Sequence, residues 1–357
     1  MKTIDTSITI IGCGLTGLAL ANLLNEKGLK TTIIEARNRP GGRIWTHHNK
    51  EQAPIEMGAT WFGEKHRHIN ALLAKLNIPS FIQKLGSKAI YEPISTQPHK
   101  LVTLPPNSDP SYRIQGGSSR LINRLLENIS DHQFYFGQEV KRIEAVNDTL
   151  HVSSDTHVFQ TGFVISTLPP YLLNAKIQIY PALPDALRQV MNQTHTWMGE
   201  SIKIGLRFAQ PFWREETSSG TLFSNVGPIP ELYDHSDETD NYYALKGFLN
   251  GAYYSLSKEE RLALLLKQLR KYYGKKVDAY IDYQELVWRH EAYTYTPYQQ
   301  PVLPHQNNGH QRYQEAYMNG KLFIAGAETA NTFPGYMEGA IASAQAVFNQ
   351  LSVQLAH

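Results

Sequence analysis

Apolar residues recur along the N-terminal part of the chain with the periods of strands and helices. Residues 8–11 are a short β-branched run, which is typical of a buried parallel strand. Residues 15–27 carry apolar side chains at helical spacing, and Gly28 stands where a helix C′ residue belongs. Residues 31–34 are a second β-branched run. This pattern predicts a βαβ unit.

Later segments repeat the same two periods. They predict helices at residues 67–76, 258–273 and 335–351. Within residues 114–129 they predict a Gly116-Gly117 turn followed by a helix, with Ser118 or Ser119 as its N-cap. Residues 81–112 contain five prolines and short β-like runs, so we expect a strand-rich segment there. Further strands are predicted at residues 134–140, 141–146, 150–153, 157–161, 163–167, 201–208, 279–288 and 322–325.

Three glycines in G-x-G-x-x-G spacing follow the first strand. Gly12 permits a tight turn, Gly14 lets the backbone approach a pyrophosphate, and Gly17 lets the helix pack close to the sheet. The helix N-terminus offers N–H groups and partial positive charge to phosphates. Glu35 ends the second strand, where a carboxylate can bind ribose hydroxyls and disfavours NADP. Nucleotide binding is therefore predicted, with NAD and FAD both open; the alternative is a glycine turn in another α/β protein.

Composition excludes several classes of function. A net charge of +2 without a long basic run does not suggest nucleic-acid binding. The single cysteine, Cys13, excludes an internal disulfide, so we expect a reducing compartment, the cytoplasm. Neither a leader peptide nor an apolar run of membrane-spanning length is evident, so no membrane anchor is expected. No metal site is predicted, and the oligomeric state is not indicated.

Three distant segments resemble the flavin-containing amine oxidases, and among them the monoamine oxidases most. The chain has RNRPGGR at 37–43, within the first segment, GCGLTGLALANLL to TIIEARNRPGGRIWT. The other two are SIKIGLRFAQPFW at 201–213 and LFIAGAETANTFPGYMEGAIASA at 322–344. Weaker similarity runs through IEMGATWFG, YRIQGGSSRLI and VISTLPP. The matches keep the family's order over more than half of the chain.

The resemblance implies an α/β fold, α+β overall, with two domains. We expect a discontinuous Rossmann-type FAD-binding domain at residues 1–80, 113–195 and 289–357, and a short mixed-sheet substrate domain at 81–112 and 196–288. It implies FAD-dependent oxidation of an amine carbon–nitrogen bond to an imine and aldehyde, with oxygen reoxidising the flavin to give hydrogen peroxide. The expected partners are a small amine and oxygen.

The resemblance also assigns residues. Lys203 matches a buried lysine that holds a water near flavin N5, whereas the pattern alone favours a surface strand lysine. Tyr336 and Tyr293 match two aromatic walls in front of the flavin. The residues expected to bind the cofactor are Gly12, Gly14, Leu15, Thr16, Gly17, Glu35, Ala36, Arg37, Gly41, Gly42, Arg43, Gly58, Ala59, Thr60, Trp61, Val140, Trp288, Gly326, Glu328, Gly335, Tyr336, Met337 and Ala340.

Departures from the family pattern refine these expectations. Ala292 stands where covalent members carry cysteine, so the FAD is expected to be held non-covalently. Trp61 stands where amino-acid-oxidising relatives carry arginine, which disfavours substrates with an α-carboxylate. The short segment 81–112 suggests a more open cleft. The alternatives are oxidation of polyamines or other secondary amines, a dehydrogenase with another electron acceptor, an NAD-dependent dehydrogenase, and a non-catalytic flavin-binding protein.

Overall fold

The protein is described by a computed structural model that covers residues 1–355, with only the backbone described at 215–218. The strands, in chain order, are β1 (Lys2–Ile11), β2 (Thr32–Ile34), β3 (Thr46–His47), β4 (Ile55–Glu56), β5 (Phe62–Gly63), β6 (Ser80–Ile82), β7 (Lys88–Glu92), β8 (Lys100–Thr103), β9 (Ser111–Ile114), β10 (Gln133–Tyr135), β11 (Arg142–Val146), β12 (Thr149–Ser153), β13 (His157–Ser166), β14 (Gln178–Tyr180), β15 (Ile202–Phe208), β16 (Ser218–Ser224), β17 (Glu231–Asp234), β18 (Tyr243–Leu249), β19 (Tyr280–Val287), β20 (Ala316–Tyr317) and β21 (Leu322–Ile324). The α-helices are α1 (Leu15–Asn25), α2 (Arg67–Lys75), α3 (Ser119–Glu127), α4 (Pro170–Lys176), α5 (Asp185–Asn192), α6 (Lys258–Tyr273) and α7 (Met337–Leu355).

The first large sheet contains the predicted βαβ unit. Its order is β10-β2-β1-β13-β12-β11-β14, and β21 pairs with β13 and carries β20. β10, β2, β1, β13 and β21 are mutually parallel, as the buried β-branched runs predicted. Helix α1 lies against this sheet together with α3 and α7, and their apolar side chains form one continuous core. The Rossmann-type fold class is therefore confirmed.

The second large sheet is mixed, as expected. Its order is β19-β15-β18-β17-β16-β7-β8, and only the β16–β7 pair is parallel. Helix α6 packs on one face through Leu265, Leu266 and Leu269. The α6 N-terminus is closed by a capping box between Ser257 and Glu260. The segment 81–112 contributes β7 and β8 to this sheet and is strand-rich, as predicted.

Three local predictions are corrected by the structure. The separate strands at 157–161 and 163–167 are one strand, β13, because β1 pairs with it in parallel along both parts. The strand at 134–140 is shorter and ends at Tyr135. Helix α3 begins after Ser118, but neither serine hydroxyl caps it. Instead the N–H groups of Ser118 and Ser119 donate to Glu56 and Thr46 of the neighbouring hairpin.

Sequence periodicity missed two helices, α4 and α5. Both begin directly after a proline, Pro169 before α4 and Pro184 before α5. Pro170 is itself in the first turn of α4, where a missing N–H costs nothing.

The domain boundaries remain a prediction. The first large sheet takes its strands from residues 2–34, 133–180 and 316–324, and the second takes them from 88–103 and 202–287. The last two residues of the predicted range 289–357 lie outside the described residues.

Candidate active site

A cavity of about 520 Å³ runs from the parallel sheet to the mixed sheet. At one end it is lined by Ile11 and Ile34, the last residues of β1 and β2. At the other end it reaches Lys203 of β15 and Phe248 of β18. The site therefore lies at the carboxyl edge of the parallel strands, where open α/β sheets bind ligands.

The phosphate-binding turn is built as the glycine spacing predicted. Gly12 has φ +106°, and an added Cβ would lie 2.4 Å from the hydroxyl oxygen of Thr167. Gly42 lies so close to Gly14 that its added Cβ would be 3.4 Å from the Gly14 Cα. Within the described residues no side chain caps the N-terminus of α1. Leu15 and Thr16 of its first turn line the cavity, and the uncapped N–H groups of such a turn are suited to binding an anion.

Glu35 is fixed beside this turn by two backbone groups. Its Oε2 accepts a hydrogen bond from the N–H of Cys13 at 2.9 Å, and its Oε1 accepts one from the N–H of Arg37 at 2.9 Å. The carboxylate lines the cavity, and each oxygen keeps a lone pair that can accept from a ribose hydroxyl. Val140 and Gln138 line the same cavity.

Tyr293 belongs to this nucleotide end of the cavity. The Arg37 guanidinium lies 5.6 Å from the Tyr293 ring centre and donates to the Tyr293 carbonyl at 3.5 Å. Arg37 is further held by Glu291 at 2.9 Å and by Thr294 at 2.8 Å. Tyr336 has different neighbours, since the aromatic rings in contact with it are those of Trp197, His66 and His305. The two residues predicted as aromatic walls, Tyr293 and Tyr336, therefore do not share their contacts.

Arg43 and Glu328 form a bidentate ion pair that joins segments 285 positions apart. Glu328 is fully buried and also accepts from the N–H of Trp197 at 3.1 Å. Burial disfavours the charged guanidinium, but the carboxylate outweighs it and raises the pKa of Arg43. Glu328 was expected to contact the flavin directly, but it does not line the cavity. Arg43 does line the cavity, so the Glu328 carboxylate holds the Arg43 guanidinium in position without lining the cavity itself.

Lys203 is buried, contrary to the surface orientation that pattern alone favoured. Its side chain is 5% exposed, and its amine donates to the carbonyl of Gly58. Burial lowers the pKa of Lys203 from 10.5 to about 8, with Glu56 opposing the shift. The amine lies 5.1 Å from the Phe248 ring centre. A lysine of this kind can hold a water or exchange a proton inside the cavity.

Tyr336 stands at the mouth of this end, with 38% of its surface exposed. Its ring centre is 5.4 Å from that of Trp197 and 6.2 Å from that of His66. Gly335 precedes it with φ +88°, and a Cβ there would lie 2.7 Å from the Trp197 side chain. Glycine is therefore required for Tyr336 and Trp197 to approach each other.

The structure gathers most of the predicted site residues around this one cavity. Gly17, Gly326 and Glu328 do not line it. Gly17 instead lets α1 approach β1, because its added Cβ would lie 2.2 Å from the Gly12 carbonyl. The predicted residues that line the cavity are Gly12, Gly14, Leu15, Thr16, Glu35, Ala36, Arg37, Gly41, Gly42, Arg43, Gly58, Ala59, Thr60, Trp61, Val140, Lys203, Trp288, Tyr293, Gly335, Tyr336, Met337 and Ala340.

Sequence reasoning missed several residues of the cavity. Trp197 and Met198 come just before the matched SIKIGLRF segment, and their aromatic and apolar character was the available signal. Glu231 and Phe248 come from β17 and β18, which carry no motif. Only the pairing of three strands places them beside Lys203: Phe248 lies opposite both Lys203 and Glu231 in register.

These residues fit a flavin dinucleotide. The paired glycine loops leave a channel that side chains at Gly14 or Gly42 would narrow, and the free N–H groups of α1 offer anion binding at its end. Ala292 lines the cavity, and Cys13 is fully buried beneath the turn with its pKa raised by burial, so neither supplies a thiolate to a cofactor. In residues 1–355, no group of three or more His, Cys, Asp or Glu side chains could hold a metal ion.

The fold and this cavity are those of a dinucleotide-dependent oxidoreductase. A family model described as flavin containing amine oxidoreductase matches residues 15–103 and 95–348. The chain therefore belongs to the flavin-containing amine oxidoreductases. The flavin prediction is confirmed, and the NAD-dependent alternative is not supported.

Individual relatives agree with this assignment. The chain is 23% identical to flavin-containing amine oxidase B of Canis lupus familiaris over 442 aligned residues, which cover 94% of this chain and 84% of the relative. The human enzyme of the same name gives 23% over 443 residues, with the same coverage. At these identities the relatives leave the substrate open.

Solved structures share the fold over nearly the whole chain. Cyclohexylamine oxidase from Brevibacterium oxydans IH-35A superimposes with a TM-score of 0.85 at 19% identity, covering 99% of this chain and 100% of that one. A putrescine oxidase bound to putrescine gives 0.84 at 21% identity, covering 98% and 100%. Among the described residues, no helix is long and apolar enough to cross a membrane.

Proposed function

We propose that this protein oxidises the carbon–nitrogen bond of an amine to an imine, which water hydrolyses to an aldehyde, with oxygen as the final acceptor that yields hydrogen peroxide. One observation carries the proposal. The buried Lys203 amine and Tyr336 line the same cavity as the phosphate-binding turn, so an amine can be placed beside the reactive end of a bound dinucleotide.

The bound FAD supplies the acceptor for a hydride equivalent from the carbon next to the amine nitrogen. The side chains and backbone of the protein bind the cofactor, hold a proton or water, and orient the substrate. Glu35 would hold the ribose, and the α1 N-terminus would hold the phosphates. Lys203 keeps a proton or a water at its amine inside the cavity. Tyr336 and Phe248 line the cavity with aromatic side chains that would orient the neutral amine, whose nitrogen lone pair forms the imine bond, and would exclude water.

The FAD is proposed to be non-covalent, because Ala292 has no sulfur where covalent family members carry cysteine. Denaturing the purified protein and filtering it should release all of the yellow colour. A flavin that stays with the precipitated chain would contradict this.

An anaerobic amine panel tests the activity. Mixing the flavin-loaded protein with primary, secondary and polyamine substrates, and with amino acids, should bleach the flavin spectrum with amines, and readmitted air should restore it and release peroxide. Bleaching by amines without recovery in air would make the protein a dehydrogenase with another acceptor. A spectrum unchanged by the whole panel would favour the non-catalytic flavin-binding alternative.

Glu231 favours a second candidate function, oxidation of diamines or polyamines. Its Oε2 accepts from the Tyr233 hydroxyl at 2.7 Å, while Oε1 has no hydrogen-bond partner among the described residues and the carboxylate lines the cavity. Glu231 is two strands from Lys203, roughly 10 Å at the usual strand spacing. A second ammonium group of the substrate would be held there.

Diamine specificity has its own test. Glu231→Gln should lower kcat/KM for a diamine by about 10- to 100-fold, the loss of one charge-assisted hydrogen bond. The same change should leave a monoamine of equal chain length within about 3-fold, since that substrate has no group to place at Glu231. Equal losses for both substrates would remove Glu231 from substrate recognition.

Two further expectations remain proposals. The division into a discontinuous FAD-binding domain and a short substrate domain is supported by the two separate large sheets. The cytoplasm is proposed as the compartment because the sequence has a single cysteine.

A further inference from the structure

Residues 291–294 separate the cavity from solvent beside Glu35, and we call this segment the strap. Ala292, Tyr293 and Thr294 line the cavity. Glu291 does not line it, yet its side chain is 28% exposed, so this carboxylate faces the solvent on the outer side. The strap is therefore a thin part of the cavity wall.

Buried aromatic side chains fix the chain on either side of the strap. Before it, the Trp288 indole N–H donates to the Met57 carbonyl at 2.9 Å. After it, Tyr295 is buried, and its hydroxyl donates to Glu200 at 2.9 Å. Among the described residues, the hydrogen bonds that join the strap itself to a distant part of the chain all come from Arg37. The strap thus depends on one side chain for its position.

The Arg37 guanidinium directs most of its N–H groups at the strap. Its Nε and one terminal nitrogen donate to Oε2 of Glu291 at 3.2 and 2.9 Å. The same terminal nitrogen donates to the Thr294 hydroxyl at 2.8 Å, and the other donates to the Tyr293 carbonyl at 3.5 Å. A guanidinium has five N–H groups, so few remain for a ligand in the cavity, and the Glu291 carboxylate balances the charge.

The opposite end of this connection is rigid. Arg37 comes shortly after β2, and its backbone N–H donates to Oε1 of Glu35 at 2.9 Å. Glu35 in turn accepts from the N–H of Cys13 in the phosphate-binding turn. The Arg37 side chain is 11% exposed, so its pair with Glu291 is partly withdrawn from water. Such a pair is stronger than a fully exposed one.

The position of the strap bears on how a cofactor leaves. A flavin dinucleotide that has no covalent bond to the chain must pass through the cavity wall to dissociate. Glu35, the carboxylate suited to a ribose, is two residues from Arg37 along the chain. The thin strap therefore lies next to the ribose position, and Arg37 is what keeps it closed there.

We propose that Glu291 and Thr294 are cofactor-retaining residues, which act through Arg37 to hold the strap closed over the nucleotide half of the FAD and so slow its release. In this assignment Arg37 fastens the strap and is not a phosphate ligand. The proposal rests on non-covalent attachment of the flavin, and it does not depend on which amine is oxidised.

The rival assignment makes Arg37 a ligand of the cofactor phosphates, with Glu291 competing for the same guanidinium. The two assignments predict opposite effects when the Glu291 charge is removed. A guanidinium freed from Glu291 would bind phosphate more strongly and would slow FAD release. A strap freed from Arg37 would open more often and would speed it up.

The rate of FAD release is the direct test, and it needs no turnover. The flavin-loaded protein is diluted far below its dissociation constant for FAD, and free FAD is followed by its fluorescence. Glu291→Gln should release FAD about 10-fold faster, the effect of losing one charge-assisted interaction. The control is Asp278→Asn, which breaks an exposed pair with Arg270 away from the cavity and should leave the rate unchanged. Unchanged or slower release from Glu291→Gln would overturn the proposal.

Thr294 gives a second test without a change of charge, and it decides the matter if Glu291→Gln does not fold. Thr294→Val removes the hydroxyl that Arg37 contacts and should release FAD about 3-fold faster, whereas Thr294→Ser keeps the hydroxyl and should release it at the unchanged rate. Equal release from the valine and serine variants would overturn the proposal.

The rate at which FAD binds to the apoprotein separates retention from damage to the site. Binding should be as fast or faster in Glu291→Gln and Thr294→Val, because an untied strap also opens the way in. Slower binding would mean that the variants distort the site, and it would count against the proposal. A flavin that stayed on the denatured chain would contradict both non-covalent attachment and retention by the strap. A protein that behaves as expected here but oxidises no amine would refute only the proposed function.

Discussion

Burial lowers the pKa of the Lys203 amine and so makes this residue suited to proton transfer. The strand β15 is buried along its whole length, on both faces. Ile202, Ile204 and Leu206 pack toward α6, while Gly205 on the opposite face meets Ile55 so closely that its added Cβ would lie 2.4 Å away. The lysine on that second face therefore loses its water. Alternation along the strand places Lys203 and Gly205 on the face opposite the isoleucines, but it could not predict that this face is covered.

Replacing Lys203 with methionine should damage catalysis rather than stability. The volumes are similar, so the free energy of unfolding at pH 7 should stay within about 1 kcal/mol or rise, because a desolvated charge is removed. Flavin reduction or reoxidation should slow by about 100-fold or more, as for loss of a proton-transfer group. Stopped-flow measurements of both half-reactions check this, and unchanged rates in both would exclude Lys203 from the mechanism.

The lowered pKa of Lys203 also predicts a pH dependence of stability. The group binds a proton with pKa about 8 when folded and near 10.5 when unfolded, so above pH 8 the unfolded state binds more protons. The free energy of unfolding of the unchanged protein, minus that of Lys203→Met, should therefore rise between pH 8 and 10 by about 1.4 kcal/mol per pH unit. Urea unfolding at several pH values measures it. A difference that falls with pH would mean that burial does not lower this pKa.

The Arg43–Glu328 pair predicts a stability effect that an exposed pair does not show. Glu328→Gln leaves a partly buried guanidinium without its counter-ion and should lower the free energy of unfolding by about 2 kcal/mol. The control is Asp109→Asn, which breaks the exposed pair with Lys65 and should change stability by less than about 0.5 kcal/mol. Denaturant titration of both variants decides, and equal effects would remove the special role of the buried pair.

At the scale of elements, the contact between α1 and β1 is set by Gly17. An alanine there gains helix propensity, about 1 kcal/mol, but its Cβ would lie 2.2 Å from the Gly12 carbonyl. The clash should prevail and lower the free energy of unfolding by about 1–3 kcal/mol, with weaker flavin retention. Gly63→Ala is the matched control, because no atom lies within 4 Å of its added Cβ. Thermal unfolding and flavin release report both effects, and a stabilised Gly17→Ala would show that α1 can move away.

Elements that carry their own signals could be predicted from sequence. Helix α6 occupies the predicted residues, Lys258–Tyr273, because its cap and its leucine spacing are local. Strand β13 was divided in two, since Gly162 interrupts the apolar run and only pairing with β1 makes the strand continuous. At α3 the capping groups come from the hairpin of Thr46 and Glu56, which no local pattern reveals.

At the scale of the whole molecule, the cofactor should contribute to stability, because the cavity is lined from both large sheets. Removing the flavin should lower the free energy of unfolding by about 4 kcal/mol relative to protein with flavin at 1,000 times its dissociation constant. Added FAD should restore the transition in proportion to the logarithm of its concentration. Thermal unfolding of apoprotein and reconstituted protein measures this, and identical transitions would mean that the flavin binds no more tightly to the folded chain than to the unfolded one.

The sequence by itself determined the nucleotide end of this protein. The strand, the three glycines, the helix and Glu35 lie within one continuous stretch, and their functions depend on backbone geometry that glycine spacing and periodicity encode locally. The resemblance added the lysine and the tyrosine of the far end. Tertiary structure alone decided what covers Lys203, that Glu328 supports Arg43, and that Glu231 and Lys246 lie beside the site. Their positions depend on pairing between strands distant in sequence, and their charges depend on what covers them.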